Sequence, residues 1–395
     1  MRHPLRSRTR ARAALPATVV ALGLALSACG QSDGDSAAQS ETSAPAAVKV
    51  KDPLVATYDG GLYVLDPVTL KVVEDIPLDG FNRVNPAGDG RHVMVSTSTG
   101  FRVLDAAGAR LTDDEFAAPK PGHVVHHAGK TVLFADGTGK VTIFDPTELG
   151  GGLPETRTHD SEHAHHGVAV ALSNGELLTT LGTEEERTGV HVLDANRKEV
   201  ARSEECPGVH GEATAQGEAV VIGCENGALI YRNGEITKVK APDEYGRIGN
   251  QAGHEESPIV LGDYKTDPDA ELERPERVSL IDTRTGDLEL VDLGTSYTFR
   301  SLARGPHGEA LVLGTDGALH VIDPERAEVT KKIEIMGAWR EPLEWQRPRP
   351  TLLVRDHTAY VTDPGGRTVY AVDIESGEVK TKAQTPQPTN ELTGV

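Results

Sequence analysis

The chain has 395 residues, 37% hydrophobic but only 4% aromatic, with 42 glycines and 24 prolines. That length sustains a large core and excludes disorder throughout, while the glycines and short β-branched runs point to strands joined by tight turns rather than to a coiled coil or helical solenoid. Lys and Arg total 40 against 60 Asp and Glu, a net charge of −20 that repels a phosphate backbone, so nucleic acid is excluded as a partner and the charge reads as a solubility device.

The amino terminus is basic from Arg2 to Arg12, apolar from Ala13 to Ala25, and continues Leu26-Ser27-Ala28-Cys29. This order predicts a signal peptide over 1–28 that ends in a bacterial lipoprotein-type cleavage box; the apolar run is too short to span a bilayer. Cleavage before Cys29 and its acylation are expected to anchor the protein, through several lipid chains, on the outer face of the cytoplasmic membrane. Residues 29–52, which open with Ser, Ala, Gln and Asp and lack periodicity, are expected to form the lipidated Cys and a flexible linker. With Cys29 set aside, Cys206 and Cys224 are an even pair in an oxidising compartment, which predicts a disulfide. Closing its loop of about 18 residues contributes about 3 kcal/mol on the chain-entropy model.

From residue 53 an apolar strand ending in Asp keeps returning: Tyr63-Val64-Leu65-Asp66, Arg102-Val103-Leu104-Asp105, Thr142-Ile143-Phe144-Asp145 and His191-Val192-Leu193-Asp194. It continues as Ser279-Leu280-Ile281-Asp282, His320-Val321-Ile322-Asp323 and Tyr370-Ala371-Val372-Asp373, with Leu229-Ile230-Tyr231-Arg232 a degenerate copy. Steps of about 38 to about 50 residues match four-stranded propeller blades. Each copy follows a second apolar strand, such as Lys130-Thr131-Val132-Leu133-Phe134, and before that a small or polar strand suited to the central channel. The expectation is an all-β propeller over 53–385 with eight blades, seven being the alternative because the first copy lacks its own inner strand and ring closure can mix the chain ends. Residues 386–395 are expected as a C-terminal tail.

Most of the 15 histidines crowd between His123 and His210. Three open successive blades in comparable positions, in Gly122-His123-Val124-Val125, His165-His166-Gly167-Val168 and Val209-His210-Gly211-Glu212, which points His123, His166 and His210 toward one mouth of the channel. Neutral imidazole is the commonest zinc ligand, and convergence of side chains from separate strands is what a metal site needs. The segment His159-Asp160-Ser161-Glu162-His163-Ala164-His165-His166 reads as a mobile polar loop, adding His159, Asp160, His163 and His165 as candidate ligands. Zinc is the expected metal, although copper and nickel also suit such a set. His126 and His127 approach the next turn, where one of them is expected to cap a strand end, and His92, His254, His307 and His357 are expected to sit in turns. The acidic stretch Asp263 to Glu273 lacks the glycine and spacing of an EF-hand.

No Gly-x-Ser-x-Gly elbow, His-Glu-x-x-His motif or phosphate loop occurs, and no enzyme is expected. The segments Asn82-Arg83-Val84-Asn85-Pro86, His165-His166-Gly167-Val168-Ala169-Val170, Cys206-Pro207-Gly208-Val209-His210-Gly211-Glu212-Ala213 and Gly223-Cys224 resemble those of the AztD-type zinc metallochaperones, over nearly all of the chain after residue 53. The resemblance implies an extracytoplasmic, non-enzymatic propeller that hands Zn2+ to the solute-binding protein of a zinc ABC importer; the protein is expected to be a monomer. That family can carry a His-rich mobile arm near the amino terminus, whereas Gly30 to Val48 contains no His, so the loop from His159 to His166 is the substitute. The alternatives are a metal-dependent, lactonase-like propeller hydrolase, whose ligands would be carboxylates and Asn, and a metal-free binding scaffold.

Overall fold

The computed structural model describes Ala47 and residues 49–395; the signal peptide, Cys29 and most of the linker lie outside the described residues. Eight antiparallel sheets form an eight-bladed β-propeller, each with four strands in hydrogen-bonded succession and one with an additional short strand, Gly246–Arg247. The innermost strands of blades 1 to 8 are Thr389–Gly394, Arg83–Pro86, Pro121–His127, Ala169–Ala171, His210–Ala215, Gln251–His254, Tyr297–Arg304 and Leu352–Arg355.

Burial along the strands explains the sequence pattern. Second strands such as His92–Ser96, Ala219–Cys224 and Ala310–Gly314 are buried at every position, because they are covered on both faces by the neighbouring blades. Outermost strands alternate instead, as Val72–Pro77 does, because one face meets the adjoining blade and the other meets water. The core is therefore a ring of interfaces between blades. One cluster joins Val125 of blade 3 to Val170, Leu178 and Val192 of blade 4 and to Val220, Ile222 and Leu229 of blade 5.

The recurring Asp is a turn device. After the third strand, Asp66 accepts from the Val68 and Thr69 N–H groups, Asp194 from Asn196 and Lys198, Asp323 from Glu325 and Arg326, and Asp373 from Ser376. A short carboxylate that bonds backbone two to four residues on closes the hairpin to the outer strand. Hydrogen bonds from Thr147, followed by one from the Lys130 ammonium, hold the equivalent Asp145 at about 2.

Two expected boundaries move. Residues 386–395 are not a tail: Thr389–Gly394 is buried throughout and pairs with Leu54–Tyr58 as the inner strand of blade 1, Leu54 opposite Gly394. Its polar sequence reads as a tail because an inner strand turns half its side chains to the channel. Glu391 closes the seam, accepting from Arg83 Nε of blade 2 at 2.9 Å, Val84 N at 3.1 Å and Arg300 Nη2 of blade 7 at 2.9 Å. At the other chain end the linker stops before residue 52. Lys49 and Val50 donate their N–H groups to the Ala107 carbonyl, and Val50 packs on Val64 and Ala109.

Every inner strand runs from the face where the outer strand of the preceding blade delivers the chain, here the entry face, to the opposite face. Because Leu54 is antiparallel to Gly394, the chain joins the propeller on the opposite face.

Arg300 is buried, so removing its partner leaves a charge out of reach of water. Glu391→Gln is expected to cost about 3 kcal/mol in urea unfolding, and truncation after residue 388 to abolish a cooperative transition; a truncated protein as stable as the full chain would make the last strand dispensable.

Candidate metal centre

His123, His166 and His210 converge on the entry face. His123 lies on the inner strand of blade 3, His166 in the connection into blade 4, and His210 at the head of the inner strand of blade 5. One ring nitrogen from each lies within 4.8 Å of the others. The His123 and His166 Nε2 atoms are 3.4 Å apart, and the ring centroids are separated by 5.0, 5.4 and 5.1 Å. Two imidazoles bound to one tetrahedral zinc at 2.0–2.1 Å place their nitrogens about 3.3 Å apart, so the first pair already has that spacing.

Neighbouring blades orient the rings. His166 Nδ1 donates to Asp136 Oδ2 at 2.5 Å, and His210 Nδ1 donates to the Gly249 carbonyl at 2.6 Å. Each bond fixes the tautomer that leaves Nε2 as a lone-pair donor, the arrangement found behind metal-bound histidines. Space for these partners is reserved by glycine: a Cβ on Gly122 would lie 2.0 Å from Asp136 Oδ1. Gly211, at φ +70°, forms a bulge after His210, and a Cβ there would lie 2.6 Å from the Gly249 carbonyl oxygen.

Electrostatics keep two of the rings neutral. Burial, then the charges of His210, His166, Arg83 and Arg187, hold His123 well below the ordinary histidine range. Burial likewise takes His210 down to about 3, against the opposing pull of its bond to Gly249. Both rings are thus in their ligating form at neutral pH. The unfolded chain takes up protons that these folded rings refuse, so their contribution to stability is present above about pH 6.5 and is lost as the pH falls toward the folded values. Two residues beyond His210, burial raises Glu212 to about 7.

The remaining candidates are dispersed. His165 is buried with both nitrogens engaged, Nδ1 donating to the His163 carbonyl at 2.9 Å and Nε2 accepting from the Thr180 hydroxyl at 3.0 Å, so it offers no ligand atom. His163 is exposed, 3.8 Å from Glu162. His159 and Asp160 are not in a loop: they end the outermost strand of blade 3, paired with Val141 and Lys140, and the His159 ring packs on His191. That edge is three strand spacings, roughly 14 Å, from the inner strand. An outer strand is polar enough to read as loop, which is why the sequence assigned them to the channel. His127 bonds Glu218 at 2.8 Å and His92 bonds Asp89 at 2.5 Å, both away from the trio. Sequence reasoning missed Asp136, in a turn of blade 3, and Gly249, in the connection before blade 6; only the blade register brings them to the trio.

Cys206 and Cys224 form the expected disulfide, Cα atoms 4.9 Å apart, joining the connection before His210 to the strand beside it. The same connection is tied to blade 4 by Cys206 N to the Thr188 carbonyl at 3.0 Å.

No protein-family model matches the chain. Over 283 residues, 69% of its length, it is 25% identical to the protein described as zinc chaperone AztD of Citrobacter koseri, spanning 65% of that relative. Its resemblance is to the AztD-type zinc chaperones. The structure of apo AztD from Citrobacter koseri superposes with a TM-score of 0.75 at 21% identity, covering 87% of this chain and 96% of that one. The dihydro-heme d1 dehydrogenase NirN, at TM-score 0.59 and 12% identity over 87% of this chain and 75% of that one, shares the propeller fold only.

Two outcomes follow from this geometry. If two of three rings carry no proton to displace between pH 7.5 and 5, zinc affinity measured by chelator competition falls by at most about one decade per pH unit, where three ordinary imidazoles would lose roughly three below pH 6.5; a three-decade slope refutes the neutral-ring assignment. Unreduced, denatured protein is expected to show neither Cys206 nor Cys224 to a thiol reagent, and Cys224→Ser to lower stability by about 3 kcal/mol; stoichiometric labelling of both refutes the bond.

Proposed function

We propose that this protein is a non-enzymatic zinc carrier that holds Zn2+ on His123, His166 and His210 and passes it to the solute-binding protein of a zinc ABC importer. The observation that carries the reading is the convergence of three oriented imidazoles without a carboxylate in the converging group. A lactonase-like site would need carboxylates to activate water. Likeness to a protein described as a zinc chaperone supports zinc as the cargo.

In this reading a lipid on Cys29 tethers a monomer to the outer face of the cytoplasmic membrane, and three protein ligands leave the fourth zinc position open to an incoming acceptor. A closed four-ligand shell would resist release. The ring best placed to leave first is His166, the most accessible of the three with 40% of its side chain exposed. Its connection, residues 161–167, also presents the exposed Glu162 and His163. These two side chains serve as stepping ligands, a role narrower than the expected loop from His159.

His166→Ala and His210→Ala are expected to weaken zinc binding 10-fold or more, at least about 1.4 kcal/mol, and Asp136→Asn by 10- to 100-fold, an order-of-magnitude range for groups behind metal ligands. His163→Ala is expected to leave affinity unchanged and to slow transfer to the solute-binding protein. Calorimetry beside stopped-flow transfer reads both; unchanged affinity in the first two variants moves the site elsewhere, and unchanged transfer in the third removes the stepping role.

A further inference from the structure

We propose that His307 and His357 form a second divalent-cation site, a two-imidazole clip for zinc on the face opposite the trio. It uses residues to which the carrier reading gives no part, and it stands or falls independently of the trio.

Both residues occupy the hairpin between the first and second strands of their blades, where the inner strands end. His307 follows Tyr297–Arg304 of blade 7, and His357 follows Leu352–Arg355 of blade 8. Successive blades thus bring two rings together from equivalent positions, the same construction that assembles the trio at the other end of the strands. The ring centroids are 5.4 Å apart, the separation of His123 from His210. The backbone under each ring is fixed: His307 N donates to Glu309 Oε2 at 3.0 Å, and the His357 carbonyl accepts from Ile374 N at 3.0 Å. The rings themselves are exposed, and neither makes a side-chain hydrogen bond among the described residues.

Exposed imidazoles held at this spacing offer lone pairs that one ion can share without moving the backbone. Zn2+ suits them, and Cu2+ and Ni2+ are accepted by the same ligand class. The surroundings favour a cation. A groove of about 360 Å³ that includes His307 is lined by Glu256, Glu309, Asp323 and Glu325 and by no Lys or Arg, so it concentrates cations beside the ring. The arginines that end the two inner strands are turned to backbone carbonyls, Arg304 to those of Ile259 and Gly308 and Arg355 to that of Asp52. Two protein ligands leave the other positions of a tetrahedral ion to water, which makes this site weaker than the trio. His254, at the corresponding turn of blade 6, supplies the contrast: its Nδ1 accepts from Glu256 N at 3.2 Å, and it has no ring partner among the described residues.

Calorimetric titration of the full-length, untagged, metal-stripped protein with Zn2+ reads the site as a second, weaker equivalent. His307→Gln and His357→Gln are each expected to abolish that equivalent and leave the tight one unchanged, because a single imidazole cannot clip the ion. His254→Gln is expected to keep both. In the wild type, the imidazole resonances of His307 and His357 are expected to shift together as the second equivalent is added, a readout that needs no variant to fold. The proposal is overturned if the wild type takes up no second equivalent, if that equivalent survives loss of either histidine, if His254→Gln removes it as well, or if the two resonances stay in place. Failure of the trio shows differently, as a tight equivalent that persists in both His166→Ala and His210→Ala.

Discussion

The seam between the first and last strands is the constraint on which the rest of the molecule depends. Seven blades are built from consecutive chain, but blade 1 exists only when Thr389–Gly394 pairs with Leu54–Tyr58. Until then the ring is an open stack with two exposed strand edges, a template for pairing with other chains. Closure removes the edges and sets the circumference, which fixes the spacing of the inner strands. The buried contact of Glu391 with Arg300 on one side and Arg83 on the other makes this seam specific as well as closed. Such a polar seam costs desolvation and pins register in return.

From that circumference the metal centre follows. His123, His166 and His210 come from three successive blades, and the groups that orient them come from neighbouring blades or turns: Asp136 from blade 3 holds His166 at the entry to blade 4, and Gly249, before blade 6, holds His210 of blade 5. The disulfide and the Cys206 to Thr188 bond tie the connection between the blades. The site is thus a property of the assembled ring and of no blade alone. Its chemistry is equally collective, because burial and mutual repulsion among the rings and nearby arginines keep the buried imidazoles neutral.

How much of this the sequence discloses depends on whether a feature is local. The period of the Asp-terminated strand reports the blade repeat because each Asp closes its own hairpin within a few residues. The three histidines are legible because they occupy equivalent places in consecutive repeats. What fails is discrimination between polar segments. Thr156–Asp160 is polar because it faces water at the rim, Thr389–Gly394 because it faces the channel, and residues 161–167 because they form a connection. Composition is similar in all three, and only strand pairing tells them apart. Asp136 escapes for a related reason, since a charged residue in a turn is unremarkable until the blade beside it is in place.

The antiparallel pairing of Leu54 with Gly394 also gives the propeller a handedness toward whatever holds it. Chain preceding Leu54 leaves from the side on which inner strands finish, while the histidines stand where they begin. Residues 49–53 therefore meet the back of the disc, the face opposite the trio. A visiting protein meets the trio on a face that residues 49–53 leave clear.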